Sequence, residues 1–352
     1  MTGLLDDFAY LWPLLVRAAG VAALAMAAAV VIERTAQGLY QAWNRRLTLR
    51  YRPLIDRALE GDETARAAIL ASAARHRFAI AWLLIEPLIE DRDPRRIDAT
   101  RSIAQALSVF DRTDRYLRSR LWWRRALALR ALGLVQARDH TARLIAALDD
   151  PHDDVRAAAL DGLTDLRDPA TVQAIVVRVH DTSLHRGRRG AALKALGSSC
   201  EPFLLELSEV DPVNRVNYIH ALAICGTARS RPVLCRWTRD VRVQVRATAF
   251  EALAYVGLDD EAARLAIEGL ESDDAAVRAM AAYALRGWRG PGDAAGRLGP
   301  HLDDTWAVAV RAARTLASMG PAGLLELQLR SSRPDLGGLL ARQMLWEADA
   351  QG

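Results

Sequence analysis

Lysine is all but missing from this chain: Lys194 is the only one among 47 basic residues, and the rest are arginine. Aromatic residues are sparse, at 6%. The three cysteines, Cys200, Cys225 and Cys235, form no CxxC pair, so neither a disulfide framework nor a zinc signature is present. They read instead as small buried thiols of a reducing compartment. No His-Glu dipeptide occurs anywhere. Of seven histidines, His180 and His185, with Asp181 between them, make the best metal candidate, weighed against solvated loop residues. The run Gly287-Trp288-Arg289-Gly290-Pro291-Gly292 has no lysine after it and no strand before it, so it reads as a loop and not a phosphate cradle. Ser198-Ser199-Cys200 lacks a neighbouring histidine in sequence. The expectation is no catalytic residue, no metal and no cofactor.

Charge is unevenly placed. Residues 1–32 hold Arg17 against Asp6 and Asp7, a net of −1. Residues 33–57 hold six arginines against Glu33 and Asp56, a net of +4, which leaves +1 for residues 58–352 out of a total of +4. Duplex nucleic acid calls for a strong basic stripe, and a near-neutral body argues against such a partner.

What the sequence has is one long apolar run near its start. Residues 8–32 read FAYLWPLLVRAAGVAALAMAAAVVI. As a helix they span about 37 Å, enough for a hydrocarbon core of ~30 Å with some tilt. Pro13 fits a first helical turn. Arg17 either snorkels to the interface or pairs with an acid on another membrane helix. A signal peptide would carry a positive start and a small-x-small end, whereas this run follows two aspartates and ends in Val30-Val31-Ile32. The expectation is a single transmembrane helix. Arg34, Arg45, Arg46, Arg50, Arg52 and Arg57 all follow it, which places the C-terminal bulk in the cytoplasm by the positive-inside rule. Residues 33–57 put Leu39, Tyr40, Trp43, Leu47 and Tyr51 on one helical face. That face suits a lipid headgroup layer, or packing against the first repeat with the arginines as a topology signal.

Beyond residue 58 the sequence is helical in character, and from about 112 it repeats. Small-Leu pairs recur at Ala131-Leu132, Gly162-Leu163, Ala195-Leu196, Ala221-Leu222, Ala252-Leu253, Ala284-Leu285 and Thr315-Leu316. The leucines are spaced by 31, 33, 26, 31, 32 and 31 residues. Seven positions before each stand Arg125, Arg156, Arg189, Arg215, Arg246, Arg278 and, breaking the pattern, Ala309. Four before stand alanines, except Tyr218. Positions −4, −3 and 0 share a helix face, and alanine lets a neighbouring helix approach. An apolar segment precedes each of these helices, and acidic loops such as Asp149-Asp150-Pro151, Asp211-Pro212 and Asp273-Asp274 join the two. Aspartate is expected to cap the following helix. Each unit is then a helical hairpin that buries its apolar face only by stacking on the next. The 26-residue step should distort the stack locally.

The stretch Asp150-Pro151-His152-Asp153-Asp154-Val155-Arg156-Ala157-Ala158 resembles the bacterial HEAT-like repeats, including those first described in phycobilin lyases. The resemblance runs over roughly 112–335. It implies an all-α solenoid of about seven hairpins over 112–352, with 58–111 as a degenerate cap that includes Ala106-Leu107. It also implies that the repeat arginines are structural, tied to loop acids and carbonyls; an anion-binding stripe is the alternative. HEAT-like repeats also form deoxyhypusine hydroxylase, whose iron ligands come as His-Glu dipeptides, and some DNA glycosylases; this chain lacks the dipeptide. Trp122 and Trp123, flanked by Arg118, Arg120, Arg124 and Arg125, could stack on a ligand, or form a first-repeat edge that faces the bilayer or the juxtamembrane helix. The functional expectation is a non-enzymatic scaffold at the inner membrane, touching lipid and a protein partner, in the manner of accessory subunits of envelope or surface-glycan machinery. At ~10 Å per hairpin, seven units would offer a surface of about 70 Å. A bilin-lyase-like enzyme or chaperone is the alternative.

Overall fold

The computed structural model describes residues 45–350 apart from 182, 183, 287 and 291. Among these residues every regular element is helical. None of the helices is long and apolar enough to cross a membrane. The run at 8–32, with Arg17, and the positions Arg34, Leu39, Tyr40 and Trp43 lie outside the described residues.

The chain divides into two compact units, Met1–Tyr116 and Leu117–Gly352. The first holds α1 (45–59), α2 (Glu63–Ile85), α3 (Pro94–Ala106) and most of α4 (Val109–Leu117). Its core gathers Leu47, Tyr51, Ile55 and Ala58 from α1 against Ile69, Ile80, Leu84, Ile103 and Leu107. The apolar face that suited either lipid or protein is therefore covered by protein at Leu47 and Tyr51. Helix α2 is kinked at His76 (φ −129°, ψ 25°), where the Tyr51 hydroxyl lies 3.0 Å from His76 Nδ1. Val109, at the start of α4, packs on this core.

The second unit is a run of hairpins. Its second helices are α5 (Trp122–Leu134), α7 (Asp153–Leu166), α9 (Arg186–Leu196), α11 (Arg215–Cys225), α13 (Val243–Val256), α15 (Ala275–Ala284) and α17 (Trp306–Ser318). The first helices are α6 (Thr141–Ala146), α8 (Pro169–Val177), α10 (Glu201–Val210), α12 (Arg231–Trp237), α14 (Asp260–Gly269) and α16 (Ala294–Leu298). A further hairpin, α18 (Pro321–Ser331) and α19 (Leu336–Asp349), follows; its small-Leu pairs, Gly323-Leu324 and Gly338-Leu339, do not bury their leucines. Successive second helices pack on one another. All seven repeat leucines and every residue at −4 and −3 are buried. Tyr218, in place of alanine, is buried as well; its hydroxyl donates to Asp211 at 3.0 Å.

The acidic loops cap fewer helices than their composition implies. Asp274 does accept the amide of Ala276 at 2.9 Å. Before α7, however, the cap is His152, whose Nδ1 accepts the Asp154 amide. Before α11, Asp211 binds Asn214 and Tyr218 within the loop. Aspartate caps appear instead on first helices, as at Asp168 and Asp259. The reason is that Asp150 is engaged by an arginine of the unit before.

Candidate interaction surface

The repeat arginines sit at the start of the second helices, one turn or two beyond the loops. Arg125 donates through Nε and Nη2 to both carboxylate oxygens of Asp150, at 2.7 and 2.8 Å, and through Nη1 to the carbonyl of Ser119 at 2.9 Å. The backbone carbonyl of the same Asp150 accepts from Arg156 at 2.7 Å. Asp240 repeats the arrangement: its carboxylate accepts from Arg215 at 3.2 Å and its carbonyl from Arg246 at 3.0 Å. Arg278 holds Asp304 by two bonds of 2.7 Å and the carbonyl of Ser272 at 2.8 Å. Each of these aspartates thus lies 25 or 26 positions after an arginine and joins two consecutive loops. Where Ala309 replaces the arginine, His301 Nδ1 stands 3.3 Å from Asp304 in its place. Arg189 and Arg246 depart: Arg189 donates to the carbonyl of Val179, and Arg246 donates only to the carbonyls of its own loop, Asp240 and Val241.

The electrostatics follow the contacts. The two bonds from Arg278 hold the Asp304 carboxyl well below the usual carboxylate range, against the opposing effect of burial. For Asp150, burial pushes the carboxyl up, but the bonds from Arg125 and the His152 amide outweigh it and the net shift is downward. Arg215 additionally lies over the Trp237 ring, 3.9 Å from its centroid, a cation–π contact.

A second regular feature is a ridge on the second helices. Two positions before each repeat leucine stand Arg130, Asp161, Lys194, His220, Glu251, Tyr283 and Arg314, all exposed or half-buried. Members make contacts across units, with the next member or with a residue beside the ridge. His220 lies 3.4 Å from Glu251, and Tyr283 donates its hydroxyl to Tyr255 at 3.1 Å. Sequence reading attended to the conserved spacing of buried positions and passed this one by. Its signal was that the position never holds an aliphatic residue in seven units.

The other candidates separate. His180 meets the Tyr218 ring edge-on at 6.4 Å, and His185 Nδ1 accepts the Gly187 amide as the cap of α9. Among the described residues no group of three or more His, Cys, Asp or Glu stands where it could hold a metal. All three cysteines are free and buried, and burial pushes the Cys235 thiol up to about 11. Arg289, from the glycine-rich run, donates to the carbonyls of Met319 and Ser318 at the end of α17. Of the basic cluster, Arg45, Arg46 and Arg50 are exposed. Arg52 lies beside Asp56 and Glu86, and Arg57 binds Asp62 at 2.9 Å through Nε.

A family model described as HEAT repeats matches residues 111–197 and 201–286. Those segments are HEAT repeats. No curated protein matches the sequence. Similar solved structures include human deoxyhypusine hydroxylase, 20% identical over 85% of this chain and 99% of that one, with a TM-score of 0.30. Another is the CpcE–CpcF complex of phycocyanin lyase from Nostoc, 18% identical over 66% of this chain and 92% of that one, TM-score 0.28. A third is a complex of Kap95p with RanGDP, 11% identical over 84% of this chain and 50% of that one, TM-score 0.46.

Proposed function

We propose that this protein is a membrane-tethered scaffold. Residues 8–32 anchor it in a bilayer, Arg17 snorkelling to the interface, and the hairpin stack binds a protein partner in the cytoplasm. The observation that carries the binding half is the ridge at Arg130, Asp161, Lys194, His220, Glu251, Tyr283 and Arg314. Its members alternate in charge and chemistry while the positions beneath them are uniformly small or apolar. A buried face held constant fixes the stack, and the face free to vary is the one available for recognition. Exposed Tyr255 and Ile224 beside the ridge add the apolar area that interface centres use. The arginine ladder has a different job on this reading. Its guanidiniums are occupied by loop carbonyls and carboxylates, so the arginines clamp the hairpins and do not form an anion stripe. The cluster at Arg34, Arg45, Arg46 and Arg50 orients the anchor and lies against anionic headgroups. A partner in envelope or surface-glycan machinery would fit such a placement.

The test takes the full chain from membranes. Alkaline carbonate should leave it in the membrane fraction, and a C-terminal alkaline phosphatase fusion should be inactive. Captured partner should fall about tenfold or more, the size of a hot-spot loss, when Tyr255→Ala and Tyr283→Ala are combined, with helical content unchanged. Unchanged capture would sink the ridge as the binding face. Stoichiometric iron or bilin in the purified chain, or turnover of a small substrate, would replace the scaffold with an enzyme.

A further inference from the structure

The loops that join the two helices of each hairpin adjoin one another. Trp122 of the first stacks on His152 of the second, with centroids 4.2 Å apart and planes 5° from parallel. Arg242 of one loop likewise donates to the carbonyl of Pro212 in the loop before. Four of these loops expose large apolar side chains. Leu121, Trp122 and Trp123 are 45, 42 and 46% exposed, Val213 is 85%, Val241 is 92% and Trp306 is 63%. What lies beside them differs. Val213 follows Asp211, Val241 lies between Asp240 and Arg242, which pair with each other, and Trp306 follows Asp303 and Asp304. The first loop instead carries Arg118 and Arg120, both exposed, and no acid occurs from Arg115 to Arg138.

This loop is also held in place. Arg125, fixed by its two bonds to Asp150, donates to the carbonyls of Ser119 and Arg120. The Leu121 amide donates to Ser119 Oγ at 3.2 Å. The guanidinium of Arg124 lies 5.0 Å from the Trp123 ring centroid. Three consecutive apolar side chains are therefore presented on a braced turn with cations at its base.

We propose that residues 118–123 are a docking tip for an anionic lipid surface. Tryptophan settles at the bilayer interface, leucine enters the acyl boundary, and arginine binds lipid phosphates by paired donors. Both halves of the loop are used at once by that partner. A nucleic acid would stack on the tryptophans but gain nothing from Leu121, and two arginines neutralise too few phosphates for such binding. Asp153 and Asp154, in the first turn of α7, limit the contact to the tip. Asp153 is held by Arg156, and Asp154 lies 3.8 Å from His152. The tip rests on the membrane reading above insofar as it needs a bilayer near the repeats, but it does not need the spanning segment.

The experiment reconstitutes the full chain into vesicles of phosphatidylcholine alone or of phosphatidylcholine with phosphatidylglycerol, and follows amide hydrogen exchange across residues 118–124. Exchange should be several-fold slower with phosphatidylglycerol. Arg118→Glu with Arg120→Glu should abolish the difference, since each arginine near an anionic surface is worth about five-fold in occupancy. Trp123→Ala, which leaves the charge intact, should reduce it. Equal exchange in the two vesicles, whether fast or slow, overturns the proposal. So does equal slowing when polyglutamate replaces phosphatidylglycerol, which would assign the tip to an acidic protein. Carbonate extraction of the same vesicles reads the anchor separately. A chain that washes off while its loop was protected sinks the anchor alone, and a retained chain with equal exchange sinks the tip alone.

Discussion

The junction between α5 and α7 and the surroundings of α9 share one repeat formula and differ in how tightly they are built. At the first, Gly133 and Gly162 bring two helix backbones together, and a methyl on Gly133 would collide with the Cα of Gly162. Arg125, Asp150 and Arg156 lock the loops beside them. Around α9, a methyl on Gly190 would meet nothing within 4 Å, and Ala195, the small residue of its small-Leu pair, is exposed where its counterparts in most other units are buried. Arg189 reaches a carbonyl of its own hairpin and not the next loop. The arginine and the small-Leu pair therefore define a hairpin. At the α5–α7 junction two further features tighten the stack: an aspartate 25 positions after Arg125, and glycine where the backbones cross. At Arg189 the corresponding residue is Asn214, not aspartate.

The largest test of that contrast removes the shared acid. Asp150→Ala leaves the largely buried guanidinium of Arg125 without its carboxylate. It should cost about 3 kcal/mol, the lower end for breaking a buried pair. Arg189→Ala should cost about 1 kcal/mol, as for one ordinary hydrogen bond. Urea unfolding, with hydrogen exchange to localise the loss, measures both. Equal costs would break the comparison. Next in size, Gly133→Ala should destabilise α5 and α7 by about 2 kcal/mol through overpacking, despite alanine's better helix propensity. The amides of those two helices report it.

Acid should separate the two regions as well. The carboxyls of Asp150 and Asp304 titrate below their ordinary value in the folded chain. Their contribution is complete above the unfolded value of about 3.9 and is lost as pH falls through the lower folded values. Stability should therefore decline below about pH 4, and Asp304→Asn should flatten that decline. The bond from Arg189 ends on a carbonyl, which has no proton to gain there, so exchange in α9 should follow acid less steeply than exchange in α15 and α17. A steeper response in α9 would contradict the assignment.

Much of this is legible in the sequence. The period of about 31 residues, the −4, −3 and 0 face and its burial follow from helical geometry and alanine's size. The places of the repeat arginines were legible too, because a fixed offset before the apolar face puts them over the loops. Their individual partners were not: Asp150 reads equally well as a cap, and only the adjoining hairpin decides between the roles. Leu47 and Tyr51 were ambiguous for a related reason, since a bilayer and a protein core select the same residues. Helices α18 and α19 fall inside the expected 112–352 solenoid but outside the seven counted pairs; in α19 it is Leu340 and Ala341 that are buried, while Leu339 of Gly338-Leu339 is exposed. The ridge escaped because recognition residues vary, and periodicity finds only what repeats.

The smallest effect has the opposite sign. Gly190 lies inside α9, on the half-buried side of the helix, with open space where its Cβ would stand. Its φ is not in the left-handed region, so alanine adopts the same backbone without strain. Glycine in a helix interior costs about 0.5–1 kcal/mol relative to alanine, mainly because the unfolded chain has more freedom to lose. Gly190→Ala should therefore stabilise the protein by that amount, where Gly133→Ala destabilises it by more. The same substitution in the same fold, one hairpin apart from the tight junction, then changes sign with packing alone. Urea midpoints of the two variants, compared at equal slope, give the answer. A loss of stability in Gly190→Ala would mean that α9 is as closely packed as α5 and α7, and the contrast between the two regions would fall.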